Sequence, residues 1–328
     1  MSRADDWPSS SPDEIEERLL GGPRRYRRDE VAEAAGVPVP YARRLWRAIG
    51  FPDMGDVVAF TDGDLTALRR LLGLVGDGVL DDELAVSVTR AMGHQAARLA
   101  EWLVDALVEH LVDEQGLSVE DATRTAVELT TARLEDLEQL LGYIWRRQLA
   151  AVSGRALAGA ARETVTERLS VGFADLVSYT RLSQKLEERE LAALVDRFGR
   201  CSADVIAGGH GRLVKTVGDE VLFVADSAAD AATIGLELAE TMAEDPVLPD
   251  IRVGIATGTV LTRMGDVFGR TVNLASRLTA QAAPGTVLVD SDTAQELEGD
   301  DRFALDVERT RAVRGMGLVR PGVVRRTR

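Results

Sequence analysis

Apolar residues follow a helical spacing through the first half of the chain. Leu99, Leu103, Leu107 and Leu111 recur every four residues, which places them on one face of a helix. Similar spacing runs through residues 24–160, with few strand-like alternations. We therefore predict an all-α region there.

The pattern changes near residue 162 to short runs rich in β-branched residues, separated by amphipathic helices. The elements are expected in the order strand, helix, strand, strand, helix, strand, with a tight hairpin in the middle. This βαββαβ order is ferredoxin-like, so the fold class is α+β, with an all-α region in front. The predicted strands are 169–174, 212–217, 221–225 and 251–257, and the predicted helices are about 183–206 and 228–243.

These patterns divide the chain into three segments. Residues 1–23 are acidic and rich in Ser and Pro, which predicts a flexible tail and not a signal peptide. Residues 24–160 form the predicted helical domain, which ends in a helical connector containing Trp145, Arg146 and Arg147. Residues 161–328 form the α+β domain. No segment is apolar enough to cross a bilayer, so we expect a soluble protein without a membrane partner.

Composition narrows the chemistry. Cys201 is the single cysteine, which leaves no intrachain disulfide or cysteine-based zinc site and suits the cytoplasm. The net charge of -15 repels polyphosphates at long range, so a nucleotide site requires a local group of cations.

The first stretch with candidate chemistry follows the first predicted strand. Asp175 closes that strand, and a turn of mainly small residues that includes Leu176, Tyr179 and Thr180 leads into a helix. A carboxylate there can hold Mg²⁺, while free N–H groups of the helix start donate to phosphate oxygens. A simple helix cap is the alternative reading of Asp175.

The second stretch is the central hairpin, in which Lys215 precedes a Gly218-Asp219 turn. The hairpin lies beside the first strand in a βαββαβ sheet, so Asp219 can approach Asp175 and form a cage for two metal ions. Ordinary Gly-Asp turn chemistry is the alternative.

The third stretch is a glycine-bounded loop that contains Asp266 and leads into a helix. Asn273 and Arg277 lie four residues apart on one face of that helix. An amide and a guanidinium suit a ribose and a transferring phosphate. A solvated helix face is the alternative.

Together these stretches resemble the class III nucleotidyl cyclases. The resemblance implies that Asp175 and Asp219 hold two Mg²⁺ or Mn²⁺ ions, with the backbone carbonyl of Leu176 completing a metal shell. Lys215 and Asp266 match the pair that reads adenine, so ATP is the expected substrate and cyclic AMP the product.

The same resemblance assigns the remaining roles. Asn273 orients the ribose, Arg277 stabilises charge on the α-phosphate, and Arg314 reaches the terminal phosphates. Where many relatives carry another phosphate-binding arginine this chain has Thr259, and Arg263 is a possible substitute. In this family each site is shared between two subunits, which implies a homodimer with two complete sites.

Residues 24–72 also resemble the helix-turn-helix of MerR-like regulators. DNA binding is therefore an alternative function for this half. The net negative charge of the whole chain disfavours it. The entire helical half resembles the regulatory domain of a pH-sensitive group of actinobacterial cyclases. The basic residues of the DNA-binding alternative are Arg24, Arg25, Arg27, Arg28, Arg43, Arg44 and Arg47.

Two alternatives to a regulated adenylate cyclase stay open. One is a DNA-binding regulator that uses a cyclase fold as a nucleotide sensor. The other is a diguanylate cyclase, suggested by Gly218-Asp219-Glu220 on a central hairpin but disfavoured by the Lys215/Asp266 pair. The regulatory signal is not evident, since His94, His110 and His210 are the only histidines.

Overall fold

The computed structural model describes residues 11–51, 55–159, 166–263, 265–313 and 316–327. The chain divides into two compact units, Met1–Ala161 and Arg162–Arg328. No helix in the described ranges combines the length and the apolar character needed to span a membrane.

The described part of the first unit is almost entirely helical. One isolated β-bridge joins Tyr26 and Phe60, and the Phe60 ring packs on Trp46 with 4.4 Å between centroids. The helices are α1 (Pro12–Leu20), α2 (Arg28–Ala35), α3 (Val39–Ile49), α4 (Asp62–Gly76), α5 (Asp82–Gln115), α6 (Val119–Ala132) and α7 (Leu134–Gly159).

Helix α1 lies within the segment for which we expected a flexible tail. Ser11 and Glu14 form a reciprocal capping box at its start, and Gly21 ends it with a φ of 75°. These two caps satisfy backbone groups at both helix ends, which explains why a polar sequence is helical here.

Helices α2 and α3, in the region that resembles a helix-turn-helix, contact each other and are joined through Gly36 with a φ of 73°. Four of the arginines of the DNA-binding alternative form ion pairs with carboxylates. Such pairs reduce the positive charge available to a phosphate backbone. They are Arg24–Glu16, Arg25–Asp62, Arg28–Asp56 and Arg44–Glu83.

The second unit contains an eight-stranded sheet with strand order β2-β3-β1-β4-β6-β10-β7, and β5 pairs with the extended end of β4. The β2-β3-β1-β4 portion is the expected ferredoxin-like core. The strands are β1 (Thr166–Leu176), β2 (Arg212–Val217), β3 (Glu220–Ala225), β4 (Ile251–Arg263), β5 (Asp266–Phe268), β6 (Thr286–Val289), β7 (Phe303–Val307), β8 (Arg311–Val313), β9 (Gly317–Val319) and β10 (Gly322–Arg326).

Helices cover both faces of this sheet. On one face α9 (Glu188–Gly208), α10 (Ala228–Glu244) and α12 (Ser291–Leu297) enclose a core that includes Phe198 and Ile234. On the other face α11 (Arg270–Thr279) packs against a second core. The central strands are therefore buried on both faces, which restricts their movement.

Two glycines on β4 allow α11 to approach the sheet closely. A Cβ on Gly254 would overlap the backbone nitrogen of Thr279, and one on Gly258 would lie 2.7 Å from the Thr271 hydroxyl. A larger residue at Gly254 would displace the backbone of α11, whereas one at Gly258 would first meet the Thr271 side chain.

The predicted helix at 183–206 differs from the structure. A four-residue helix, α8 (Tyr179–Leu182), comes first, and α9 begins only at Glu188. Glu187 and Glu190 form a capping box that sets this start. Strand β4 also runs six residues beyond its predicted end, because it pairs with the whole of β1.

Candidate active site

The structure brings together Asp175 and Asp219, the two aspartates predicted to bind metal ions and called the metal acids below. Asp175 is near the end of β1, and the backbone N–H of the next residue, Leu176, donates to the carbonyl oxygen of Asp219 at 3.0 Å. Gly218 has a φ of 59°, which permits the tight turn that presents Asp219. The hairpin turn is thus bound to the end of β1.

Glu220 is a third acid at this place, and it stands opposite Asp175 in the β1–β3 pair. Burial raises the pKa of Asp175 to about 6, and the adjacent Asp219 carboxyl adds to the rise. Burial and the charges of Asp175 and Asp219 raise the pKa of Glu220 to about 7. The site is therefore strongly anionic and poorly solvated.

Such a pair of carboxylates fits a divalent cation. The described residues contain no group of three or more acids, histidines or cysteines suited to enclosing an ion alone. Mg²⁺ commonly uses one or two carboxylates and completes its shell with water and substrate phosphates. Asp175 and Asp219 match that pattern.

The predicted base-reading pair is also brought together. Lys215 on β2 and Asp266 on β5 are 51 residues apart, yet Lys215 Nζ donates to Asp266 Oδ2 at 2.6 Å. Their side chains are 45% and 29% exposed, so both remain accessible. The contact places one donor and one acceptor side by side.

Asn273 and Arg277 lie on the exposed face of α11, whose opposite face is buried through Ala275 and Leu278. Neither side chain has a hydrogen-bond or ion-pair partner within the described residues. The helix thus presents an amide and a guanidinium outward on one face.

The other predicted residues are more varied. Leu176 is fully buried, and its side chain has no ligating atom, so only its backbone carbonyl could bind a metal ion. Tyr179 is partly buried and packs against the first core, whereas Thr180 is exposed on α8. Arg314 lies outside the described residues.

Sequence reasoning missed Arg252. It stands opposite Asp175 in the β1–β4 pair, and its charge opposes the rise in the pKa of Asp175. Its Nε is buried without a hydrogen-bond partner in the described chain. A guanidinium with an unused N–H beside the metal acids can donate a hydrogen bond to a phosphate oxygen. Antiparallel register between β1 and β4 is the signal that could have identified it.

Thr259 stands where many relatives carry a phosphate-binding arginine, and it is not beside the metal acids of its own chain. It pairs with Arg168, seven register positions from Asp175, or roughly 23 Å along the strand. Arg263 pairs with Asp266 at the same distant end of β4.

Comparison with known proteins assigns the chain to a family. Residues 162–323 match the model of the adenylate and guanylate cyclase catalytic domain. Proteins named adenylate cyclase also align with nearly the whole length of the chain. The chain therefore belongs to this family. Members of the family generally use divalent metal ions.

The chain is 48% identical to a protein named adenylate cyclase from Streptomyces coelicolor, over 95% of this chain and 89% of the relative. It is 45% identical to a protein of the same name from Glutamicibacter nicotianae, over 94% and 80%. A pH-sensitive adenylate cyclase of Mycobacterium tuberculosis is 30% identical over 90% and 77%. The crystal structure of the adenylyl cyclase CyaB from P. aeruginosa aligns with a TM-score of 0.45 at 26% identity, covering 50% of this chain and 96% of that one.

Proposed function

We propose that this protein converts ATP to 3',5'-cyclic AMP and pyrophosphate. The observation that carries the proposal is the 2.6 Å contact between Lys215 and Asp266. Adenine offers an acceptor at N1 and a donor at its 6-amino group, which a lysine and an aspartate complement. Guanine reverses this pattern, so the same pair disfavours GTP.

Asp175 and Asp219 are proposed to hold two Mg²⁺ or Mn²⁺ ions, with the Leu176 carbonyl as a further ligand. When bound, the metal ions lower the pKa of the ribose 3'-hydroxyl and neutralise the phosphates. The two carboxylates keep the cations beside the reacting oxygen. Arg252, with its unused Nε–H, donates to a phosphate oxygen next to them.

The residues of α11 act on the reacting groups. Asn273 orients the ribose, and Arg277 stabilises the negative charge that develops on the α-phosphate. Thr180 and the backbone N–H groups near Tyr179 are proposed to contact phosphate oxygens. Arg314 is assigned to the terminal phosphates.

We also propose that the sites form between two copies of the chain. The Lys215/Asp266 pair and the exposed Asn273 and Arg277 of one subunit would complete the metal acids of its partner. A closed two-fold symmetric homodimer then contains two complete sites. Residues 24–160 are proposed to be a regulatory domain, and the enzyme is proposed to act in the cytoplasm.

Product analysis tests the reaction. The purified full-length protein is incubated with Mn²⁺ and either ATP or GTP, and the products are identified by mass spectrometry. We expect cyclic AMP from ATP and much less product from GTP. Asp219→Asn should abolish the activity with an unchanged circular dichroism spectrum. No cyclic nucleotide from either substrate, or equal use of both, would contradict the proposal.

Complementation tests the shared site. Asp175→Ala disables both metal sites and Lys215→Ala disables both base pockets, so each variant homodimer should be nearly inactive. Mixed dimers, purified through two different tags, contain one complete site of two and should have about half the activity of the unmodified dimer. Mixed dimers as inactive as both parents would refute the shared arrangement.

A further inference from the structure

Glu220 has no part in the reaction described so far, although its position is close to the metal acids. It is the first residue of β3 and stands directly opposite Asp175. Residues paired across an antiparallel ladder project from the same face of the sheet. Since Asp219 precedes it in the turn, three carboxylates meet where β1 joins the hairpin.

This arrangement is unfavourable for the protein alone. Like charges directly opposite each other destabilise an antiparallel pair. Lys215 is the cation whose charge offsets part of the effect, but its Nζ is bound to Asp266 at 2.6 Å. Within the described residues Glu220 has no side-chain hydrogen bond or ion pair. The chain therefore keeps an acid here that it does not neutralise.

A cation held by Asp175 and Asp219 would relieve this repulsion. The described residues contain no set of three acids arranged to enclose one ion, which favours a place for Glu220 outside the coordination shell. Groups just outside a coordination shell orient the ligands and add charge, and their loss typically weakens metal binding. The position of Glu220 corresponds to that role.

We propose that Glu220 is a positioning residue of the metal site, which raises the affinity of the Asp175–Asp219 pair for Mg²⁺ or Mn²⁺ from outside the coordination shell. The inference rests on the proposed function, because it takes these two aspartates as the metal ligands. A purely structural role in the hairpin is the alternative, and the two roles predict opposite effects on stability.

The experiment measures Mn²⁺ binding to the full-length protein at pH 8 without nucleotide, by electron paramagnetic resonance of the free ion. Glu220→Gln keeps the side-chain shape and removes the charge, and should raise the Kd on the order of tenfold. Glu220→Asp should bind with intermediate affinity. Glu244→Gln, which changes an exposed acid at the end of α10, should leave the Kd unchanged.

Two further readouts separate positioning from structure. At saturating Mn²⁺ the kcat of Glu220→Gln should return close to that of the unmodified protein, because the catalytic groups are intact. Without metal the variant should melt no lower than the unmodified protein, because a repulsive charge is gone. Weaker Mn²⁺ binding together with a lower melting temperature would indicate a structural role and overturn the inference.

Asp219→Asn distinguishes failure of this inference from failure of the proposed function. If Asp219→Asn greatly weakens Mn²⁺ binding and Glu220→Gln does not change it, only the role of Glu220 is refuted. If neither substitution affects Mn²⁺ binding, the proposed metal site itself is wrong.

Discussion

Replacing a metal acid should stabilise the metal-free protein. Asp175 is half-buried beside Asp219, and its pKa rises from 3.8 to about 6 in the fold. The folded state therefore holds the ionised carboxylate less favourably than the unfolded state does. Asn cannot ionise, so Asp175→Asn should remove this penalty while keeping the side-chain shape.

The pKa shift gives the magnitude of the effect. A rise of about two units corresponds to at most about 3 kcal/mol at about 1.4 kcal/mol per unit. Solvent screening of this partly exposed group reduces that to about 1–2 kcal/mol. A domain of this size gains roughly 2–4 °C per kcal/mol, so the variant should melt about 2–8 °C higher at pH 8.

The dependence on pH has a defined sign. Well below the unfolded pKa of 3.8 the carboxyl is protonated in both states, so Asp175→Asn changes little. As pH rises toward 6, the unfolded state releases its proton while the folded state retains it, and the destabilisation grows. Above the folded pKa of about 6 the difference between the two proteins should be constant.

The assay is thermal unfolding followed by circular dichroism, in EDTA and then in Mn²⁺. In EDTA at pH 8 the variant should be the more stable protein, whereas Mn²⁺ should stabilise only the unmodified one. Asp204→Asn, at an exposed position on α9, is the matched control and should match the unmodified protein in both conditions. A variant that melts at or below the unmodified protein in EDTA at pH 8 would refute the reasoning.

Three other predictions follow from the fold and the site. Removing both base-reading groups, with Lys215→Ala and Asp266→Ala, should reduce the preference for ATP over GTP by about 1–3 kcal/mol per lost hydrogen bond, and an unchanged ratio of kcat/KM values would count against the assignment. Gly254→Ala should lower the melting temperature and kcat together, because the new Cβ displaces α11 and the residues it presents; a fully active variant would mean that α11 tolerates the shift. A protein truncated to begin at Arg162 should stay active but lose any response to pH, and identical pH profiles of the truncated and full-length dimers would argue against a regulatory domain.

The strands of the ferredoxin-like core were predictable because each is a short apolar run bounded by turn residues. The predicted bounds of β2, residues 212–217, agree with the structure. The extension of β4 was not predictable, because residues 258–261 are held by pairing with distant β1 and residues 261–263 by pairing with β5, and not by a local apolar pattern. Strands β7 and β10 were missed as well, and they pair with each other across an intervening local hairpin of β8 and β9.

The candidate site shows the same division between local and long-range information. The Gly218-Asp219 turn and the helical spacing of Asn273 and Arg277 are local features, and the sequence displays both. Arg252 was missed because its importance lies in cross-strand register, which pairs it with a residue 77 positions earlier. Register depends on the whole sheet, and no single stretch of sequence reports it.

The position of β1 explains how the chain can keep mutually repelling acids together. Asp175 is carried by a strand that pairs along its length with β3 and β4, and the residues on both sides of Asp175, Ala174 and Leu176, are buried. Moving the carboxylate away from Glu220 would require breaking those ladders and exposing apolar surface. Because that rearrangement costs more than the repulsion, the acids stay in place before any cation arrives, and a bound cation gains the electrostatic energy that the metal-free fold cannot release.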